Sequence, residues 1–226
     1  MPVPKNRQRM KATQNRKNPP KKKKRTPTPW IVLAVALHLL LIGGLIALLS
    51  VKPWVKDGVE IDYTPSHYAD IKVKGYGTIT VALNAEAAPV TVENFVALAR
   101  SGYYDGTTFH RIMENFMAQG GAGDGSAAKI KGEFSSNGWN NPLKHTRGAI
   151  SMARANDKNS ANSQFFLCQT TENCTHLDGN YAVFGYITKG LRVLDKICKK
   201  ANPTDNNGTI PASEQPVIVS VTIREN

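Results

Sequence analysis

From Trp30 to Val51 the chain reads WIVLAVALHLLLIGGLIALLSV, apolar throughout apart from His38 and Ser50. As an α-helix rising about 1.5 Å per residue, such a run crosses a hydrocarbon core of about 30 Å, where no water is present to satisfy a broken backbone. Residues 30–51 are therefore expected to form a single transmembrane helix held in the lipid bilayer, and whatever follows must fold on one side of it. A cleaved secretory signal is the rival reading. Against it, the run is longer than the roughly 7 to 15 apolar residues of a signal core, and IALLSVKPW offers no A-x-A-like cleavage site.

Charge decides which side. The chain holds 29 Lys and Arg against 17 Asp and Glu, an excess that first suggests nucleic acid. Residues 1–29 carry eleven of those basic groups, from Lys5 to Arg25, and no acidic one, which leaves eighteen against seventeen in the remainder. The basicity belongs to a tail that is too polar to bury a core and is expected to be disordered. Positive charge flanking an apolar span stays in the cytoplasm, and Trp30 and Trp54 bracket the span as interfacial aromatics do. Orientation alone accounts for the tail, so no nucleic-acid partner is expected. The chain is read as a single-pass protein of an inner or cell membrane, with a cytoplasmic N-terminus and a periplasmic or other extracytoplasmic domain.

Residues 52–69, with Pro53, Gly58 and Pro65 as breakers, read as a linker, and residues 70–226 as one domain long enough for a core of its own. Period-two alternation marks strands in DIKVK and TITVAL, and FHRIM, FMAQG, GAISMA, SQFFLC, AVFGYI and PVIVSVTI are further strand candidates. The period changes in APVTVENFVALARSG, where Val92, Phe95, Val96 and Ala99 form one helical stripe that Gly102 stops; LRVLDKICKK is a second amphipathic helix. Many short strands with two helices imply a barrel or a sandwich. Several reaction classes are excluded: there is no G-x-S-x-G elbow, no H-E-x-x-H, and QGGAGDG lacks the Gly-Lys-Ser/Thr of a phosphate loop. The five histidines show no zinc spacing, and Cys174 and His176 lack a second ligand pair, so neither metal nor cofactor is expected. The odd set Cys168, Cys174 and Cys198 assigns no disulfide.

Three blocks, APVTVENFVALARSGYYDGTTFHRIMENFMAQGG, KHTRGAISMARANDKNSANSQFFLC and LDGNYAVFG, resemble the signature segments of cyclophilin-type peptidyl-prolyl isomerases in order and spacing, over roughly residues 70–223. The resemblance implies a mainly β fold, an eight-stranded antiparallel β-barrel capped by two α-helices, with the active face outside the barrel. It also implies the chemistry. Rotation about an X-Pro bond breaks amide resonance against a barrier near 18–20 kcal/mol, and no nucleophile is needed to lower it. As the bond twists, the prolyl nitrogen becomes a better acceptor, so a fixed guanidinium stabilises the twisted state more than the planar one.

By resemblance that guanidinium is Arg111, a planar fork of donors oriented by Gln119. Phe116, Met117, Phe166 and Leu177 would grip the proline ring; backbone groups of Ala153, Arg154 and Ala155 would pair with the peptide; Gln164 lies beside it and His110 flanks the site. Two departures from the well-known eukaryotic members stand on the groove: Arg154 replaces an asparagine, and His176 stands where those members have a rim tryptophan, followed by Tyr181 in place of a histidine. Weak cyclosporin A binding is expected in consequence. The function implied is acceleration of X-Pro isomerisation in exported or membrane polypeptides. The alternative is a proline-peptide binding module or chaperone with incidental turnover in the same groove.

Overall fold

A computed structural model describes residues 57–226; the expected basic tail and transmembrane helix lie outside the described residues. Among the described residues no helix is long and apolar enough to cross a membrane.

The chain first folds back on itself as a hairpin. β1 (His67–Val73) pairs with β2 (Gly77–Leu83) from His67 opposite Leu83 to Val73 opposite Gly77, around a turn in which Gly75 takes φ 73°. Alternation sends Ala69, Ile71 and Val73 from one strand, and Ile79, Val81 and Leu83 from the other, into the core. β3 (Phe109–Met113), β4 (Met117–Gly120), β5 (Ala149–Met152), β6 (Phe165–Cys168), β7 (Val183–Lys189) and β8 (Ile218–Glu225) complete one antiparallel sheet in the order β3-β4-β6-β5-β7-β2-β1-β8. The sheet curls until its edges meet: Phe109 N–H donates to the Pro216 carbonyl (2.9 Å) and Ile218 N–H to that of Thr107 (2.8 Å), around the bridge Thr108 to Val217. The expected barrel is thus a curled half-barrel joined at its edges by a short bridge rather than a full ladder.

Two helices cover what the sheet leaves open. α1 (Pro89–Arg100) starts on proline, whose missing N–H costs nothing in the first turn, and buries Thr91, Val92, Phe95, Val96 and Ala99. Its N-terminus has no local side-chain cap. Instead the buried Glu133 carboxylate accepts from Val90 N–H (3.0 Å), Thr91 N–H (2.8 Å) and Thr91 Oγ1 (2.7 Å), placing negative charge on the positive end of the helix. α2 (Leu191–Lys200) buries Leu191, Leu194, Ile197 and Cys198. Phe95, at the centre of the core, meets Tyr104, Phe165 and Phe184 at centroid separations of 5.1, 5.6 and 5.3 Å.

Of the expected linker 52–69, residues 67–69 are strand β1, and the described part before them is pinned to the domain. Val59 N–H donates to Ile187 O (2.7 Å), the Asp57 carbonyl accepts from Leu191 N–H (3.1 Å), and its carboxylate accepts from Arg192 N–H (2.8 Å), capping α2. Pro65 is buried and Tyr63 donates its hydroxyl to Ala82 O at 2.7 Å.

The other face of the sheet carries a second apolar cluster around Met117, Ala149, Phe166, Cys168, Cys174 and Val183. Strand alternation produces it directly: Phe165 and Leu167 point into the main core, Phe166 and Cys168 away from it.

Candidate active site

On that outer face, register sets side chains in rows. Arg111 of β3 lies opposite Gln119 of β4, Gln119 opposite Phe166 of β6, and Phe166 opposite Ser151 of β5. Met117 lies opposite both Met113 and Cys168 in the next row. Between Phe109 and Arg111 the register shifts, leaving His110 as a bulge residue. These rows floor a pocket of about 280 Å³ whose lining also includes Phe116, Ala153, Arg154, His176, Leu177 and Tyr181.

Arg111 is fixed from three directions. Its Nε donates to the Asn207 carbonyl (2.7 Å), Nη1 to Gln119 Oε1 (3.2 Å), and Nη2 approaches Met113 Sδ (3.5 Å). Gln119 in turn donates Nε2–H to Gln164 Oε1 (3.0 Å), so its amide orientation is set and its oxygen is left for the guanidinium. The Asn207 carbonyl comes from the loop between α2 and β8. Asp205 folds that loop by accepting from Asn207 N–H (2.9 Å), Thr209 N–H (3.0 Å) and Thr209 Oγ1 (2.9 Å). These bonds, led by those of Thr209, hold its carboxyl below the usual range. Gly208, at φ 86°, brings the loop so close to β3 that a Cβ there would sit 2.6 Å from the Ile112 carbonyl.

The mouth is built from turns. Phe116 lies in the β3–β4 turn rather than at the start of β4, since Asn115 takes a left-handed φ of 65°. Asn115 N–H donates to Gln169 Oε1 (2.6 Å), and its carbonyl accepts from Thr170 and Asn173. A 3-10 turn, Thr175–Leu177, presents His176 and Leu177, with the His176 ring 5.6 Å from that of Phe116. Across the pocket the Arg154 guanidinium lies 5.2 Å from the centroid of Phe134 and 4.7 Å from that of Tyr181.

Behind Phe166 sits a residue the sequence reading missed. His145 is 1 % exposed; its Nδ1 bonds Asp178 Oδ1 (2.8 Å), its Nε2 lies 3.0 Å from Ser151 Oγ, and its ring stacks on Phe166 at 5.9 Å and 10°. Burial lowers its pKa against the opposing pull of Asp178. Met113, Asn207 and Phe134 were missed as well. Only DNNG, a turn signal before β8, hinted that a tight loop lay there, and nothing in it pointed to Arg111.

Of the expected site residues, ten line this pocket and three do not. Gln164 stands behind Gln119. His110 is half-buried with Nδ1 unpaired; burial lowers its pKa, with Arg111 acting in the same direction. Ala155 is exposed, its N–H bonded to Ser160 Oγ (2.9 Å) and its carbonyl to Arg154 Nη1 (2.8 Å). Ala153 N–H is taken by the Gln164 carbonyl (2.8 Å), so part of the backbone expected to pair with a peptide is already committed.

The pocket therefore offers preset cationic donors beside an apolar, ring-sized recess, with no nucleophile poised in it. The family model for cyclophilin type peptidyl-prolyl cis-trans isomerase matches residues 68–223. This chain belongs to that family. The Helicobacter pylori peptidyl-prolyl cis-trans isomerase is 44% identical over 145 residues, covering 61% of this chain and 84% of the relative. Isomerase B of Escherichia coli is 35% identical over 157 residues, covering 66% and 96%. Among solved structures, a Cryptosporidium parvum cyclophilin crystallised in the presence of the dipeptide Ala-Pro aligns at TM-score 0.59 and 28% identity, over 70% of this chain and 99% of that one. As a cyclophilin, the chain is a peptidyl-prolyl cis-trans isomerase.

Proposed function

We propose that this cyclophilin isomerises X-Pro bonds in exported or membrane polypeptides while anchored by residues 30–51 in an inner or cell membrane, its domain on the extracytoplasmic side. One observation carries the catalytic part: Arg111 is held by Asn207, Gln119 and Met113 at the wall of a pocket floored by Met117 and Phe166. The proline ring fills the apolar recess. The peptide carbonyl and the twisting prolyl nitrogen meet the guanidinium and the Gln119 amide. As the amide leaves planarity its nitrogen regains a lone pair, and a donor already in place strengthens its bond at that moment without reorganising. No proton moves and no covalent bond forms. His176 in place of a rim tryptophan makes cyclosporin A a weak ligand of this chain.

Exchange of an Ala-Pro peptide, followed by NMR with the whole chain in detergent micelles, tests this. Acceleration by the wild type and a loss of about 10²-fold, or ~3 kcal/mol, in a folded Arg111→Ala are expected. Arg111→Lys recovers part of the rate at most, because a point charge lacks the fork. Saturable peptide binding without acceleration would favour a binding module, and near-wild-type turnover by Arg111→Ala would remove Arg111 from the mechanism.

A further inference from the structure

We propose that Arg154 forms an anion subsite beside the proline pocket and makes this isomerase selective for prolines flanked by an acidic side chain; the inference rests on the isomerase reading of the same groove. Every contact that fixes the guanidinium is uncharged. Nε donates to Asn180 O (3.0 Å), and Nη1 donates to Ala155 O (2.8 Å) and Asn156 O (3.3 Å). The ring faces of Phe134 and Tyr181 hold its plane. These partners set its position and leave its charge unneutralised, with no hydrogen bond from Nη2 among the described residues. Among the described residues no carboxylate lies within ion-pair distance of it; Asp157, three residues on, accepts from Asn159 N–H (2.9 Å), and Asp178 pairs with His145. Arg154 lines the same pocket as Arg111, and no Asp or Glu contributes to the lining. A peptide seated there meets two guanidinium groups and no opposing charge.

An exposed ion pair is ordinarily weak, because two long side chains must be ordered and salt screens the pair. Here the ordering cost on the protein side is already met by the carbonyls and rings, and a guanidinium takes a carboxylate through paired, charge-assisted hydrogen bonds. The same placement disfavours a Lys beside the proline, since that ammonium would approach two fixed cations.

Peptides with Glu, Gln or Lys placed immediately before or immediately after a single proline are compared by NMR exchange with the whole chain in micelles. In the wild type, kcat/KM is expected to rank Glu above Gln above Lys at one of the two positions, with Glu about fivefold over Gln at low salt. The Glu-to-Gln ratio falls toward one in Arg154→Gln and takes an intermediate value in Arg154→Lys. It also shrinks in the wild type as NaCl rises to about 0.5 M, a readout that does not depend on any variant folding. Equal rates for Glu and Gln at both positions overturn the proposal, as does a ratio that survives in Arg154→Gln. Turnover of the Gln peptides is scored separately: its absence strikes the isomerase reading, while the charge ranking is still read from peptide binding.

Discussion

His145 illustrates how a side chain that touches no substrate still shapes the site. With both ring nitrogens hydrogen-bonded and the ring stacked on Phe166, it braces the pocket wall from behind. Its pKa is lowered from 6.5, first by burial, so the fold prefers the neutral ring. The unfolded chain therefore takes up this proton at higher pH than the folded one. Stability is full above about pH 6.5, falls as pH drops through that value, and levels off below the folded pKa. Urea midpoints measured across this range should fall as pH drops, and His145→Gln should flatten part of the fall, the rest belonging to His110, which burial shifts the same way. Asp70, held low by Arg224, acts in a separate window: its contribution is present above about pH 4 and lost below. A wild-type midpoint that stays constant from pH 7 to 5 would contradict this account. At the rim, His176 offers a smaller and better hydrated face than an indole, and tryptophans commonly dominate binding surfaces. Cyclosporin A is accordingly expected to inhibit His176→Trp more than tenfold better than the wild type, equivalent to ~2 kcal/mol. An inhibition titration in which the substitution gains nothing would show that another residue controls that rim. The pocket lining was legible because alternation and resemblance name what faces outward; His145 was not, since a histidine in KHTRG shows nothing of the aspartate 33 residues later that orients it.

At the scale of elements, eight strand candidates and two helices were readable in the sequence, by period where one face is buried, as with Ile79, Val81 and Leu83 on β2 or Leu191, Leu194, Ile197 and Cys198 on α2, and as short apolar runs where both faces are, as in β5 and β6. Two segments without a period were not. The loop 202–209 has no apolar stripe, and its role follows from Asp205 and Gly208 bringing Asn207 to Arg111. Residues 57–66 carry Gly and Pro and read as a linker, yet Gly58 packs flat on β7, where a Cβ would sit 1.8 Å from the Thr188 carbonyl. An alanine there cannot be accommodated by a rotamer change, since the obstacle is backbone. Gly58→Ala should cost about 1–3 kcal/mol by overpacking, and Asp62→Ala, at an exposed position of the same segment, much less. Thermal unfolding of the two variants checks this; equal midpoints would mean that residues 57–59 are only loosely held.

For the whole molecule, the domain and what precedes it have opposite electrical characters. Residues 57–226 hold sixteen basic and seventeen acidic groups, whereas residues 1–56 hold thirteen basic groups and no acidic one, eleven of them before Trp30. That asymmetry across the apolar run sets the proposed orientation, with the tail retained and the near-neutral domain exported. The cysteines carry no vote on location. All three are free and buried, and burial pushes the Cys198 thiol up to about 12, so at neutral pH it is a protonated thiol rather than a reactive thiolate. In the proposed topology the isomerase would meet chains that arrive unfolded, where cis X-Pro bonds equilibrate over tens to hundreds of seconds, and a tether would concentrate it where those chains emerge. Protease added to intact cells, or to spheroplasts where an outer membrane is present, should therefore reach an epitope fused after Asn226 while one fused before Met1 stays protected until the membrane is dissolved. Carbonate extraction should leave the protein with the membranes. Protection of the C-terminal epitope would reverse the orientation and place the isomerase among cytoplasmic clients, and a mature N-terminus near residue 51 would replace the anchor with a cleaved signal and a freely diffusing enzyme.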